Sequence, residues 1–143
     1  MVQTVLAFDF GESRIGIAVG NSMLREATPL AVLATLPREM RFTRISELIT
    51  AWQPDVLVVG VARNVSGEDS PMTARCIRFA NQLEGRFHLP VVKIDERYSS
   101  LEAEMTRRDR RAAGYARAGA TLDDLAAAII LKRFFDEHPA TLA

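Results

Sequence analysis

Two continuous apolar segments constrain the fold of this 143-residue chain more than any other feature. Residues 4–10 (TVLAFDF) and 55–61 (DVLVVGV) are apolar on both faces of an extended chain, and Asp9 interrupts the first of them. A strand of this kind has to be covered on both sides, as in the middle of a parallel sheet between helices. The chain is therefore expected to form an α/β domain around a central sheet.

Turn and capping signals divide the rest of the chain into further elements. Residues 11–13 predict a tight turn and a hairpin, Pro54 ends a helical pattern, and Ser70-Pro71 is typical of a helix start. The predicted order is strand 4–10, strand 14–19, strand 31–36, helix 45–52, strand 55–61, helix 70–85, strand 90–94, a helix from Ser99, and a buried helix 121–137. Hairpins followed by βαβ crossovers predict a mixed five-stranded sheet, antiparallel at its start and parallel at its end, flanked by helices.

Composition and charge favour one domain in the cytoplasm. Eighteen basic residues balance eighteen acidic ones, so no overall field attracts nucleic acid or a membrane surface. The lone Cys76 excludes an internal disulfide and is expected to be buried. No signal sequence and no apolar segment of about 18 residues is found. We expect a single domain over residues 1–143, with a mobile arginine-rich loop at about 106–120 and a short C-terminal tail.

Three acidic residues stand where a charge is difficult to explain by structure alone. Asp9 shares a face of the first apolar strand with Ala7, because side chains alternate along a strand. Glu96 ends the last strand on the face of Ile94, and Asp123 opens the terminal helix. An unpaired carboxylate is costly to bury, so these positions predict a functional site.

The predicted sheet gives these acids a way to act together. The ends of the first and last strands can lie side by side, with a helix start over both. Two carboxylates about 4 Å apart repel by roughly 4 kcal/mol at an effective dielectric constant near 20, and Mg²⁺ or Mn²⁺ would compensate for this repulsion. Two such ions about 4 Å apart activate a water, hold a phosphodiester and stabilise its leaving oxygen.

Each acid also has a structural explanation that the sequence leaves open. Asp123 in a first helical turn complements the helix macrodipole. Asp95 and Glu96 at a strand end are compatible with solvated carboxylates or with a pair to Arg97. Asp9 is compatible with a buried pair to Arg14.

Four motifs in order give the chain a resemblance to a known family. They are DFGESRIGIAVG at 9–20, PDVLVVGVARNVSG at 54–67, DERYSS at 95–100 and LDDLAAAIIL at 122–131. Together they resemble the YqgF/RuvX family of Holliday-junction resolvases, also described as pre-16S ribosomal RNA nucleases. The resemblance extends from Leu6 to Phe135.

The resemblance implies a ribonuclease H-like fold and cleavage of phosphodiesters that depends on Mg²⁺ or Mn²⁺. It implies that Asp9, Glu96 and Asp123 are the catalytic metal ligands, and it selects Asp123 over Asp124. Residues that match motif positions near this site are expected to support the substrate or the site geometry, namely Arg14, Asn64, Gly67 and Arg97. Arginines of the loop are candidates for backbone phosphates, namely Arg107, Arg108, Arg110, Arg111 and Arg117.

Two departures from the family pattern concern the grip on substrate more than metal binding. Ala62 stands where the family commonly has a proline. Ala120-Thr121 stands where it often has a lysine, so Arg117 or another loop arginine would replace that contact.

The leading hypothesis is a nuclease for structured RNA that matures the ends of precursor small-subunit ribosomal RNA, with pre-ribosomal particles as partners. Holliday-junction cleavage is the alternative, and it requires two active sites on a symmetric dimer; a monomer or weak homodimer is expected. A second alternative is an RNA-binding assembly factor without catalysis. DFGESRIG also resembles the phosphate loop of actin-like phosphotransferases, but those enzymes need two such domains, which 143 residues do not accommodate.

Overall fold

The computed structural model of the chain describes residues 2–64, 66–96 and 122–138, with side chains in the last segment from Leu125 onward. The elements in these residues are β1 Thr4–Phe10, β2 Arg14–Asn21, β3 Thr28–Ala34, α1 Arg38–Trp52, β4 Val56–Ala62, α2 Pro71–Phe87, β5 Val91–Glu96 and α3 Leu122–Glu137. Their order agrees with the predicted one. The helix expected from Ser99 and the arginine-rich loop at 106–120 lie outside the described residues.

The five strands form one sheet in the order β3-β2-β1-β4-β5. β1 pairs with β2 in the antiparallel sense and with β4 in the parallel sense, and β4 pairs parallel with β5. The predicted mixed sheet is therefore confirmed. The two continuous apolar segments, β1 and β4, lie beside each other near its centre, where both faces are covered.

The third strand begins and ends earlier than the apolar pattern predicted, because it lies at the edge of the sheet. Pro29 falls inside it, and a proline without an N–H is tolerated where one side of the strand has no partner. The register of β2 against β3 shifts between Ile17 and Ala18, the latter opposite Pro29. The strand stops at Ala34.

Helix α2 is fixed to the end of β4 by one threonine. It begins directly after Ser70, as predicted, and ends at Phe87, where His88 takes a left-handed φ of 56°. The hydroxyl of Thr73 accepts a hydrogen bond from the Ser70 N–H at 2.8 Å and donates one to the Ala62 carbonyl at 2.6 Å. This arrangement places the start of α2 at the edge of the sheet where β4 ends.

Helices cover both faces of the sheet. α3 packs on the face that carries Val5, Ala7, Val56, Val58 and Ile94, while α1 and α2 pack on the face that carries Leu6, Phe8, Leu57 and Val59. Each large apolar side chain buried in this way stabilises the fold by about 1.5–3 kcal/mol. In the described segments, no helix is long and apolar enough to cross a membrane.

Candidate functional site

Asp9 and Glu96 lie on the same face of the sheet, and β4 lies between their two strands, which are therefore not direct neighbours. Asp9 follows Ala7 on β1 and Glu96 follows Ile94 on β5, and both of these apolar residues belong to the core beneath α3. Asp9 is half-buried, and Glu96 is only 4% exposed. Both carboxylates stand at the edge where the parallel strands end, which is where α/β sheets hold their ligands.

Gly60 on β4 creates the space between these two acids. Phe8 pairs with Val59, so Asp9 is level with Gly60 on a neighbouring strand, at a strand spacing of about 4.8 Å. A Cβ on Gly60 would lie 2.6 Å from Glu96 Oε2 and 2.4 Å from Ile130 Cδ1. The Glu96 carboxylate therefore lies against the backbone of the residue that stands beside Asp9.

Helix α3 brings its first turn to the same edge. Ile130 lies against Gly60, whereas Leu131, one residue on, and Phe135 lie against Gly20, whose strand neighbour is the start of β1. The helix thus runs away from the Asp9 edge, and Asp123 is in its first turn. The Asp123 side chain lies outside the described residues. Among the residues with described side chains, no three His, Cys, Asp or Glu residues are grouped closely enough to bind a metal ion.

Cys76 is a buried thiol on α2, which covers the face of the sheet opposite to Asp9 and Glu96. Burial raises the pKa of this thiol, a hydrogen bond from the Ala62 backbone lowers it, and the charges of Glu96 and Asp9 raise it further. A thiol with a raised pKa is a poor nucleophile, so Cys76 is a core residue, as expected from the sequence.

An ion-pair cluster centred on Arg63 joins the ends of β4 and β5. Its Nε donates to Asp95 Oδ1 at 2.9 Å, and its guanidinium also binds Asp69. Its backbone N–H donates to the carbonyl of Glu96 at 3.3 Å. The hydrogen bond to Asp95 is the main cause that raises the pKa of Arg63. Asp95 is thus paired with Arg63, and the Arg63 backbone fixes the main chain that carries Glu96.

Asn64 and Gly67 shape the loop between β4 and α2. The Asn64 N–H donates to the Glu68 carbonyl at 2.9 Å, and the Gly67 N–H donates to the Asn64 carbonyl at 2.8 Å. Gly67 has a φ of 90°, which favours glycine. The Asn64 side chain is exposed beside the edge where Glu96 lies.

Arg14 is the other substrate candidate in the described residues. It opens β2 with an exposed side chain, two residues before Gly16, which pairs with Asp9. By alternation, Arg14 and Asp9 stand on the same face. The remaining candidates lie outside the described residues, namely Arg97, Arg107, Arg108, Arg110, Arg111 and Arg117.

Gly60 and Arg63 belong to this area but were absent from the predicted site. The signal for Gly60 was present, because an isolated glycine in an apolar strand indicates close approach of another group. Arg63 gave no such signal, since its partners Asp69 and Asp95 are 6 and 32 residues away in sequence.

Comparisons of sequence point to one family along almost the whole chain. A family model described as "RuvX: Holliday junction resolvase" matches residues 3–137. A Burkholderia vietnamiensis protein named "Putative pre-16S rRNA nuclease" is 51% identical over 134 residues, which cover 94% of this chain and 89% of that protein. A protein of the same name from Burkholderia multivorans is 49% identical with the same coverage.

Comparisons of structure identify the fold. Thermus thermophilus RuvC in complex with a Holliday junction substrate gives a TM-score of 0.65 at 18% identity, covering 96% of this chain and 97% of that one. The fowlpox virus Holliday junction resolvase gives a TM-score of 0.53 at 16% identity, covering 94% and 97%. The ribonuclease H-like fold implied by the motifs is confirmed.

Proposed function

Because the chain belongs to the RuvX family, we propose that it is a metal-dependent nuclease that hydrolyses phosphodiester bonds in structured RNA. The physiological substrate in this proposal is precursor 16S ribosomal RNA, whose 5′ end the enzyme matures during ribosome biogenesis. The support is the name shared by relatives about half identical to this chain.

The observation that carries the catalytic assignment is the opening at Gly60. It lets the nearly buried Glu96 carboxylate lie against β4, the strand next to the one that carries Asp9, on the same face of the sheet. Carboxylates that share one face at neighbouring strand ends repel each other, and a bound cation would offset this repulsion. We assign catalysis and metal binding to Asp9 and Glu96, with Asp123 in the first turn of α3 as the third ligand.

The donor set fits a hard divalent cation. Carboxylate oxygens are preferred ligands of Mg²⁺ and Mn²⁺, and the Glu96 carboxylate lies against Gly60, where an added Cβ would be 2.6 Å from Oε2. When bound, such ions supply activation of the attacking water and neutralise charge on the scissile phosphate. Asp9 and Glu96 hold them on the sheet, and the Arg63 backbone keeps Glu96 in place.

Substrate grip is assigned to the polar groups around this edge. Arg14 stands on the face of Asp9 and is suited to a phosphate, because a guanidinium binds phosphate oxygens in a bidentate manner. Asn64 is exposed on a loop that Gly67 shapes. The arginines expected to contact phosphates further along the chain are Arg97, Arg107, Arg108 and Arg117.

Four-way DNA junctions are the second candidate substrate. The description of the matching family favours this reading, and the fold is shared with resolvases that act on such junctions. Paired cleavage of a junction requires a symmetric dimer with two sites. A test of the function therefore includes both substrates.

The decisive experiment incubates the full-length protein with end-labelled precursor 16S RNA and, in parallel, with a four-way DNA junction. Each substrate is tested with Mg²⁺, Mn²⁺ or chelator, for the wild type and for Asp9→Asn. We expect RNA cleavage that needs the metal and that Asp9→Asn reduces to the level seen with chelator, since removal of a metal ligand removes charge that holds the ion.

Asp136→Asn is the matched control. This carboxylate lies near the far end of α3, is 72% exposed, and is 3.9 Å from Arg25. The control should cleave like the wild type. Cleavage of the DNA junction without cleavage of RNA would show that the substrate is branched DNA and would reject the RNA proposal. Binding of RNA without cleavage in either metal would replace the enzyme by an assembly factor.

A further inference from the structure

Arg41 is a buried cation to which the described residues offer no carboxylate. It is 7% exposed, and its guanidinium donates to the Thr35 carbonyl and to Gln82 Oε1, each at 3.3 Å. The guanidinium carbon Cζ lies 5.2 Å from the centre of the Phe10 ring and 4.9 Å from the centre of the Phe42 ring. Rings and carbonyls hold this charge in place without neutralising it.

Two further arginines, Arg38 and Arg86, lie near Arg41. Burial lowers the pKa of the Arg41 guanidinium, and the charges of Arg38 and Arg86 lower it further. Arg86 lies 3.9 Å above the Phe42 ring, and it forms a 3.5 Å ion pair with the exposed Glu39. Like charges that are held close together destabilise one another, and a bound anion would offset this repulsion. We call Arg38, Arg41 and Arg86 the arginine cluster.

The charge of the whole helical layer has the same sign. α1 and α2 together carry six arginines and three glutamates, an excess of three positive charges in a chain with no net charge. Arg78 stands one turn before Gln82 on α2 and extends the cluster along that helix. A positive layer of this kind attracts polyanions.

The cluster is linked to the candidate active site through Phe10. Phe10 follows Asp9 on β1, and its ring stacks on Phe79 at 4.7 Å on the α1–α2 side of the sheet. Arg41 covers that ring, and Thr35, whose carbonyl it binds, donates its hydroxyl to the Gly11 carbonyl at 3.0 Å. The arginine cluster thus lies near the end of β1 that carries Asp9, but on the face of the sheet opposite to the two acids.

We propose that the arginine cluster binds backbone phosphates of the RNA substrate outside the cleavage site, as a second contact surface on the α1–α2 face. The assignment of RNA rests on the proposed nuclease function, whereas the geometry itself requires only a phosphate chain. Guanidinium groups bind phosphate oxygens in pairs, and such contacts carry no sequence preference. The surface adds affinity for a long strand and takes no part in the chemistry.

The test measures RNA affinity in chelator, so that binding is separated from cleavage. The double variant Arg38→Gln/Arg86→Gln changes only exposed side chains, and thermal melting verifies its fold. Its control is Lys93→Gln/Lys132→Gln, which removes two exposed charges elsewhere. Fluorescence anisotropy follows single-stranded RNAs of about 4 and about 16 nucleotides over a range of salt concentrations.

We expect the arginine variant to bind the longer RNA roughly tenfold more weakly, with a salt slope reduced by about 1.4. The affinity for the short RNA and the kcat for cleavage of precursor 16S RNA should stay within about twofold of the wild type, while KM for that substrate rises. Unchanged affinity, or an equal loss in the lysine control, overturns the proposal. If the wild type cleaves no RNA and the arginine variant still binds RNA more weakly than the wild type does, the proposed nuclease function is rejected and the proposed contact surface is retained.

Discussion

At the scale of single residues, position 60 controls the candidate site because it lacks a side chain. Glu96 Oε2 would be 2.6 Å from a Cβ there, and the same Cβ would be 2.4 Å from Ile130 Cδ1. Neither group can retreat easily, since Glu96 and Ile130 are both buried. Any substitution at Gly60 therefore has to displace a proposed ligand or the helix that covers it.

Gly60→Ala is expected to lower the rate of RNA cleavage by about 100-fold, because a misplacement of about 1 Å has this effect on a catalytic group. Overpacking should also cost about 1–3 kcal/mol in the free energy of unfolding. Gly85→Ala is the control, since no atom lies within 4 Å of a Cβ at that helical position. It should keep full activity and gain up to about 1 kcal/mol of stability. Full activity of Gly60→Ala, measured on folded protein, would show that the site does not depend on a glycine at this position.

At the scale of elements, the junction of β4 with α2 depends on Thr73. Its hydroxyl satisfies both the Ser70 N–H and the Ala62 carbonyl, and the residue is 1% exposed. The loop between these two anchors carries Asn64 and Gly67. The helix and the loop are therefore placed by one buried side chain rather than by the apolar core alone.

Thr73→Val should lower the free energy of unfolding by about 1–3 kcal/mol, because two partly buried polar groups, the Ser70 N–H and the Ala62 carbonyl, lose their partner while the shape of the side chain is kept. Urea denaturation measures this change. Thr43→Val is the matched control on α1, where the exposed hydroxyl bonds to the Glu39 carbonyl of its own helix. Its effect should stay within about 0.5 kcal/mol. Equal effects of the two substitutions would mean that the Thr73 hydrogen bonds contribute nothing specific.

At the scale of the whole molecule, charge is divided between the two faces of the sheet. α1 and α2 carry an excess of arginine, whereas α3 carries four acids and two bases and covers the face of Asp9 and Glu96. The balanced total conceals this division. A divalent cation bound on the acidic face would link strands β1 and β5 to each other, so its binding energy should add to the stability of the fold.

Mn²⁺ is expected to raise the melting temperature of the wild type by several degrees at about 100 times its dissociation constant, equivalent to roughly 2.7 kcal/mol. Asp9→Asn should lose this response, and Asp136→Asn should retain it. Differential scanning calorimetry with and without chelator makes the comparison independent of catalysis. The same response to Mn²⁺ in all three proteins would place the bound ion away from Asp9.

Much of the fold was predictable because hydrophobic periodicity is a local property. The apolar segments of β1 and β4 require cover on both faces, and Ser70 with Pro71 marks a helix start by its own chemistry. The bounds of β3 were wrong by three residues at its start. Whether a strand tolerates Pro29 depends on its place at the edge of the sheet, which local sequence does not reveal.

By itself, the sequence determined the order of the elements, the apolar residues that share a strand face with Asp9 and with Glu96, and the family, since alternation and motifs are written along the chain. Only the tertiary structure decided that Gly60 opens the space for Glu96, that Arg63 joins Asp69 to Asp95, and that Arg41 is buried among aromatic rings. Each of these contacts unites residues distant in sequence. Their partners are chosen by strand register and helix packing, which no single segment of the chain encodes.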